Sequence, residues 1–320
     1  VQAVVDAGCP TFKLYMAYGL RLRDDQLLAS MESIGAASGL AVIHTENWPV
    51  ITSLIARNLA LGNRSPSWHP LCRPAIMEGE AAGRAIDLAT LSSCRLHIFH
   101  VTCQDVVDRL ITARSRNLPV TAETCPQYLL LTQEVYDRPG VEGALPICSP
   151  PIRGSDSQAA LWKALAEGSL QVVSTDHCPF TREEKASGLQ DFSQIPGGVP
   201  SIEMRFPAVY SQGVATGKLS LNQWVDACCT APARIAGFKD KGRIEVGCDA
   251  DLVVFDPEKQ VVLSTDTLHE DVDWTPYEGM KIQGWPEFTI SRGELIVSGG
   301  EFHGSAGRGR FTRRQPQTSV

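Results

Sequence analysis

The stretch TFKLYMAYGLRLRDDQLLASMESIGAASGLAVIHTEN, residues 11–47, decides the fold. Its first part, TFKLYMAY, is a short apolar run rich in aromatic residues and reads as a strand. DDQLLASMESIGAASGL reads as a helix, with acidic residues in its first turn and Gly39 near its end. AVIHTEN is a second strand. Strand, helix and strand in so short a span form a βαβ unit, whose strands run parallel through a right-handed crossover.

Lys13 does not fit a buried strand. Phe12, Leu14, Tyr15, Met16 and Ala17 surround it, and a buried ammonium is costly unless it is paired or neutralised. Two readings stand. The side chain snorkels to water from the strand's end. Alternatively, burial keeps the amine neutral, and it has reacted with carbon dioxide to give a carbamate, an anionic group whose two oxygens can bridge two metals.

Outward from this unit the pattern repeats. EGEAAGRAIDLATLSS, DVVDRLITARSRN and SQAALWKALAEG read as helices, and RLHIFHVTC, LPVTAETCP and LQVVSTDHCPF as strands. The repetition predicts an α/β fold, a (β/α)8 TIM-type barrel, rather than an open sheet. No glycine-rich phosphate loop follows any strand. After Gly242 the character changes: GRIEVGCDADLVVFDP, QVVLST and FTISRGELIVSGGEF read as short strands of a small β-sandwich or meander. The predicted organisation is a catalytic barrel over 1–241 and a C-terminal β-sandwich portion with a basic tail, RGRFTRR, over 242–320. VQAVVDAGC at the start reads as helix, so the chain is expected to begin inside a longer protein, with the first barrel strands upstream.

Composition sets bounds. A chain of 320 residues has room for a barrel of about 250 residues and an appendage. A hydrophobic share of 43% and a charged share of 20% are those of a globular protein. A net charge of -7 argues against nucleic-acid or anionic-membrane partners. No apolar run approaches the roughly 20 residues needed to span a bilayer, and no signal peptide is visible. The ten cysteines make no CxxC pair, which predicts free thiols in a reducing cytoplasm rather than disulfides or structural zinc.

Lys13, His44, His100 and Asp176 each stand at or near the C-terminal end of a strand. That end of a parallel barrel is where active sites are built. One such residue alone is more often a hydrogen-bonded rim residue than a ligand. Four on separate strands point to a catalytic divalent metal, for which histidine and carboxylate are common ligands. By the same reasoning His177 is expected to be a hydrogen bonder beside Asp176, and His97 to lie outside the site. His69, His269 and His303 read as loop residues without ligand spacing, and Trp48 and Trp68 as packing or surface.

FKLYMAY, VIHTEN, FHVT, CSPPIR, STDHCPF, DFSQIPGG, HEDVDWTPYEGM and RGELIVSGGEFHGSAGRGRF together resemble the dihydropyrimidinase and hydantoinase family of cyclic amidohydrolases, over nearly the whole chain. The resemblance implies ring opening of a small cyclic amide or ureide to an N-carbamoyl acid. It implies two divalent metals, zinc by preference, bridged by a carbamate on Lys13, with His44 and His100 on the second metal. Asp176 is implied as ligand of the first metal and as general acid-base. Tyr18 is implied at the substrate carbonyl and oxyanion, and Ser149 and Gly197 at the imide edge. A homotetramer is implied for the complete protein.

Two departures qualify it. The family's HxH pair is missing, since the seven histidines are His44, His69, His97, His100, His177, His269 and His303. The first metal would keep only Lys13 and Asp176, so the chain as given is expected to hold metal weakly and to be impaired. Gly197 stands where the family usually has asparagine, and the Gly197-Gly198 pair also resembles allantoinases. Allantoinase is therefore one alternative. A non-catalytic dihydropyrimidinase-related scaffold is another, opposed by the presence of Lys13, His44, His100 and Asp176.

Overall fold

A computed structural model describes residues 1–316. Five strands, β1 (Thr11–Tyr15), β2 (Leu40–His44), β3 (Arg95–Ile98), β4 (Val120–Thr124) and β5 (Val172–Val173), form one parallel sheet in the order β1-β2-β3-β4-β5. Helices Asp24–Ala36, Ala75–Leu91, Gln104–Ser115 and Ser155–Ala166 lie in the four crossovers. Strands placed strictly in chain order are those of a barrel wall; a doubly wound sheet would reverse direction near its middle. A parallel bridge from His177 to Val199 continues the pairing past β5. A helix not signalled by the sequence, Trp48–Ala60, follows β2; the Asn47 side chain caps it by accepting from the Val50 amide at 3.3 Å.

Strand alternation divides the side chains between two faces. Leu14, Ala41, Ile43, Leu96, Ile98 and Ala122 pack outward with Leu27, Met31, Ile86 and Leu110 of the helices. Leu40, Val42 and Val172 form a smaller inner core with Ala231, Ile235 and Phe99. Lys13 pairs in register with Val42, and Val42 with His97, so these three share the inner face. His44, two residues beyond Val42, lies on that face one layer higher.

The C-terminal strands β6 (Leu252–Val262), β7 (Lys281–Ser291), β8 (Glu294–Ser298) and β9 (Glu301–Phe302) form a single antiparallel layer, a meander. GRIEVGCDAD, expected to begin this sheet, precedes it without forming a strand. Phe255 of β6 packs on Phe206, Tyr210 and Trp224, with ring centroids 4.8–5.8 Å away. Residues 317–320 of the predicted tail lie outside the described residues. The ten cysteines are free, with Cys178 exposed. Among the described residues no helix is long and apolar enough to cross a membrane.

Candidate active site

The strand ends deliver the histidines to one point. His44 closes β2, and His100 follows β3 with a left-handed backbone, φ 40°. His44 Nδ1 lies 2.9 Å from His100 Nε2. His44 Nε2 donates to Glu46 Oε2 at 2.8 Å, which turns Nδ1 toward His100. Burial, and then the charges of His44 and Lys13, hold His100 well below the ordinary imidazole range, so its ring is neutral. His100 Nδ1 is buried without a hydrogen-bond partner.

Lys13 and Asp176 lie near enough to act electrostatically on one another. Burial lowers the Lys13 ammonium to about 8, against the opposing pull of Asp176, Glu123 and Cys125. Its Nζ stands 3.7 Å from the centroid of the Phe99 ring. Asp176 keeps an open edge to solvent but is crowded by protein on its strand side. That crowding raises its carboxyl above the ordinary value, with Lys13 and His44 pulling it down. Asp176 and Tyr18 also have left-handed backbones, with φ 48° and 67°. Such conformations are costly for residues with a side chain and are concentrated at functional sites.

Tyr18, Ser149 and Gly197 also meet. The Ser149 side chain acts on the Tyr18 phenol and is its neighbour. A Cβ placed on Gly197 would lie 3.8 Å from Ser149 Oγ. Burial, reinforced by Glu46, raises the Tyr18 phenol, so it stays protonated and able to donate. The Tyr18 ring packs 5.2 Å from both His44 and Trp48. Trp48 is thus beside the site rather than simple packing.

Sequence reasoning missed the residues that hold this geometry. Glu46 Oε2 accepts from Arg73 at 2.6 Å as well as from His44. Burial alone would raise Glu46; Arg73 and His44 outweigh it and hold the carboxyl far below its usual range. Arg153 donates to the Arg73 carbonyl and pairs with Glu78, whose carboxylate binds both the amide and the hydroxyl of Thr102. This buried chain ties the segments after β2 and β3 together. His69 is buried, not a loop residue, and its Nε2 donates to the Cys148 carbonyl at 2.8 Å. His97 lies on the inner face, bonded to Thr121 Oγ1 at 2.8 Å and Glu123 Oε2 at 3.1 Å. Glu123 acts electrostatically on both Lys13 and Asp176, so His97 belongs to the layer under the site. His177 Nδ1 accepts from the Ser201 amide at 3.1 Å, the hydrogen-bonding role expected of it. Only the pattern of alternation along β3 and β4 could have signalled His97 and Glu123.

Two imidazoles presenting facing nitrogens fit a shared divalent cation. The rest of the donor set is sparse: among the described residues no group of three or more His, Cys, Asp or Glu converges to hold a metal.

Residues 86–296 match the amidohydrolase family. The D-hydantoinase of Streptomyces coelicolor is 42% identical over 318 residues, 98% of this chain and 68% of that protein. This chain belongs to the hydantoinase and dihydropyrimidinase family. The D-hydantoinase of Geobacillus stearothermophilus is 40% identical, over 98% of this chain and 67% of its own length. The crystal structure of dihydropyrimidinase from Brevibacillus agri superposes with a TM-score of 0.97 at 42% identity, covering 98% of this chain and 69% of that one. The L-hydantoinase of Arthrobacter aurescens has the same fold, with a TM-score of 0.93 at 30% identity over 98% of this chain and 70% of its own. Hydantoinases named for opposite enantiomers thus share this scaffold. The chain is a cyclic amidohydrolase of a family that is metal-dependent as a class.

Proposed function

We propose that this chain opens a hydantoin or dihydropyrimidine ring to an N-carbamoyl amino acid. The observation that carries this reading is the convergence of His44 and His100 at the strand ends, close to Lys13 and Asp176, with Tyr18 packed on His44 and neighbouring Ser149. His44 and His100 would hold one divalent metal, zinc by preference. Lys13, as a carbamate, would be its anionic bridge to a second, with Asp176 as ligand there. Bound metal supplies a Lewis acid and an activated water.

The chain's own residues do the rest. Asp176 takes the proton from the attacking water and returns it to the ring nitrogen as the carbon–nitrogen bond breaks. A raised carboxyl is the better base and acid for that exchange near neutral pH. The protonated Tyr18 hydroxyl donates to the carbonyl oxygen as negative charge grows there. Ser149 and the backbone at Gly197 hold the imide edge, and the Trp48 ring shields the Tyr18 side from water. The four strand-end residues would have no common purpose in a non-catalytic scaffold. We further propose the division into 1–241 and 242–320, a cytoplasmic location and a homotetramer.

Metal analysis, followed by hydrolysis assays with dihydrouracil, hydantoin and allantoin, tests the reading. Turnover of hydantoin or dihydrouracil by the metal-loaded chain supports it. Turnover of allantoin alone would favour the second reading, which the open Gly197 position keeps in view. No turnover of any ring by a chain that holds both metals would refute it.

A further inference from the structure

Lys185 is the most deeply buried cation in this part of the molecule, with 0% of its surface exposed. It lies on the short helix Arg182–Ala186, in the segment that runs on from Asp176. Its Nζ donates to the Ile147 carbonyl and to the Pro196 carbonyl, both at 2.7 Å. Ile147 is two residues before Ser149, and Pro196 immediately precedes Gly197. The Ile147 carbonyl also accepts from the Gly198 amide at 2.9 Å. One ammonium therefore joins the loop that carries Ser149 to the loop that carries Gly197.

The surroundings make this contact costly to maintain. Among the described residues Lys185 has no carboxylate partner. Burial lowers its ammonium to about 8, and only Cys148 and Cys178 pull the other way. The faces of Phe180 and Trp274 cover it, with ring centroids 5.7 and 5.9 Å from Nζ. Trp274 is itself fixed by donation from its indole to the Phe180 carbonyl at 2.6 Å. A leucine or methionine would fill such a place without the desolvation cost. What the ammonium adds is directional: charge-assisted bonds to two carbonyls in irregular backbone.

We propose that Lys185 is a positioning residue that sets the separation of the Ser149 and Gly197 loops, and with it the width of the slot that grips the imide edge of the ring. What the slot holds rests on the cyclic-amide reading; the clamp itself rests on the two carbonyl bonds. Lys185 touches no reacting atom, so its loss should weaken substrate binding more than the chemical step.

The test compares Lys185→Met, which keeps the length of the side chain without its donors, with Lys185→Gln, which restores an N–H donor. Amide hydrogen exchange is measured over 146–152 and 195–200, alongside kcat, KM and metal content. In Lys185→Met, exchange in both loops should rise by about tenfold or more, with 11–15 and 40–44 unchanged. KM for the ring should rise by about tenfold with kcat within about threefold and metal retained. Lys185→Gln should recover part of both effects, and it carries the comparison if Lys185→Met does not fold. Unchanged exchange in either loop would overturn the clamp, as would a fall in kcat at constant KM. If the unaltered chain opens no ring, the functional reading fails, and hydrogen exchange still decides the clamp.

Discussion

His44 Nδ1 and His100 Nε2 face each other at 2.9 Å across the ends of neighbouring strands, and the two rings are held differently from behind. His44 is backed by the Glu46 carboxylate, which Arg73 keeps ionised. His100 has a buried Nδ1 with no partner. A carboxylate behind an imidazole fixes its tautomer and raises its basicity as a ligand. A divalent cation added to the chain should therefore bind here first. Zinc at about a hundred times its dissociation constant should stabilise the fold by about 2.7 kcal/mol. Thermal melts with and without zinc should show the gain in the unaltered chain and lose it in His44→Ala and His100→Ala. A full gain in either variant would place the metal elsewhere.

Lys13 gives a second expectation. Its amine, lowered to about 8, is substantially neutral in mildly alkaline solution, the form that attacks carbon dioxide and loses a proton to give the carbamate. Lys13→Ala should lose most of the bound metal and most of the turnover, and short carboxylic acids should restore part of each. Mass measured under native conditions should show the carbamate in the unaltered chain. Full metal content and turnover in Lys13→Ala would exclude the bridge.

Asp176→Asn separates proton transfer from folding. The amide keeps the size of the carboxyl and loses its charge. Turnover should fall by about 10²–10⁴-fold, the usual range for loss of a general acid-base, with the circular dichroism unchanged. A metal-loaded variant with turnover near that of the parent would exclude the assignment.

These residues were legible in sequence to different degrees, for physical reasons. Lys13, His44, His100 and Asp176 could be found because charged or imidazole side chains interrupt apolar strands at the end where barrels build their sites. The wall itself was legible as alternating strand and helix periods, with each strand in chain order in the sheet. Glu46, Arg73, Glu78 and Arg153 could not be found that way. Their partners are far apart in the chain: Arg153 meets the Arg73 carbonyl and the Glu78 carboxylate only when two crossovers pack together. His69 lacked a signal for the same reason, since its partner is the Cys148 backbone. His97, expected outside the site, lies in the layer beneath it, on the face opposite Ile98; its bonds to Thr121 and Glu123 depend on the register of the sheet.

The Gly197-Gly198 pair should divide sharply under substitution. Gly198 has φ +155°, and a Cβ there would come within 2.3 Å of the Cys178 carbonyl oxygen. A Cβ on Gly197 meets only Ser149 Oγ at 3.8 Å, an ordinary contact. Gly198→Ala should displace the loop, lower the melting temperature and weaken ring binding. Gly197→Ala should leave stability within about 0.5 kcal/mol, as for an unstrained substitution, and change only KM. Equal melting temperatures for the two variants would contradict this account of the loop.

His69 should set part of the acid limb of stability. Burial first, and then the Arg73 charge, lower its imidazole to about 3, while the unfolded chain should titrate near about 6.5. The neutral ring donates Nε2–H to the Cys148 carbonyl, next to Ser149. Above about pH 6.5 both states are neutral at this site and its contribution is complete. As pH falls below that value the unfolded chain takes up a proton that the folded chain refuses, so stability declines until the folded imidazole also titrates near 3. One such proton gives a slope of about 1.4 kcal/mol per pH unit. His69→Gln keeps an N–H donor for the Cys148 carbonyl and removes the titration. Urea unfolding at pH values from 7 down to 4 should then show a shallower loss of stability in His69→Gln than in the unaltered chain, by about that slope. Parallel curves for the two proteins would mean that the fold does not hold His69 neutral, and would overturn this account of the acid limb.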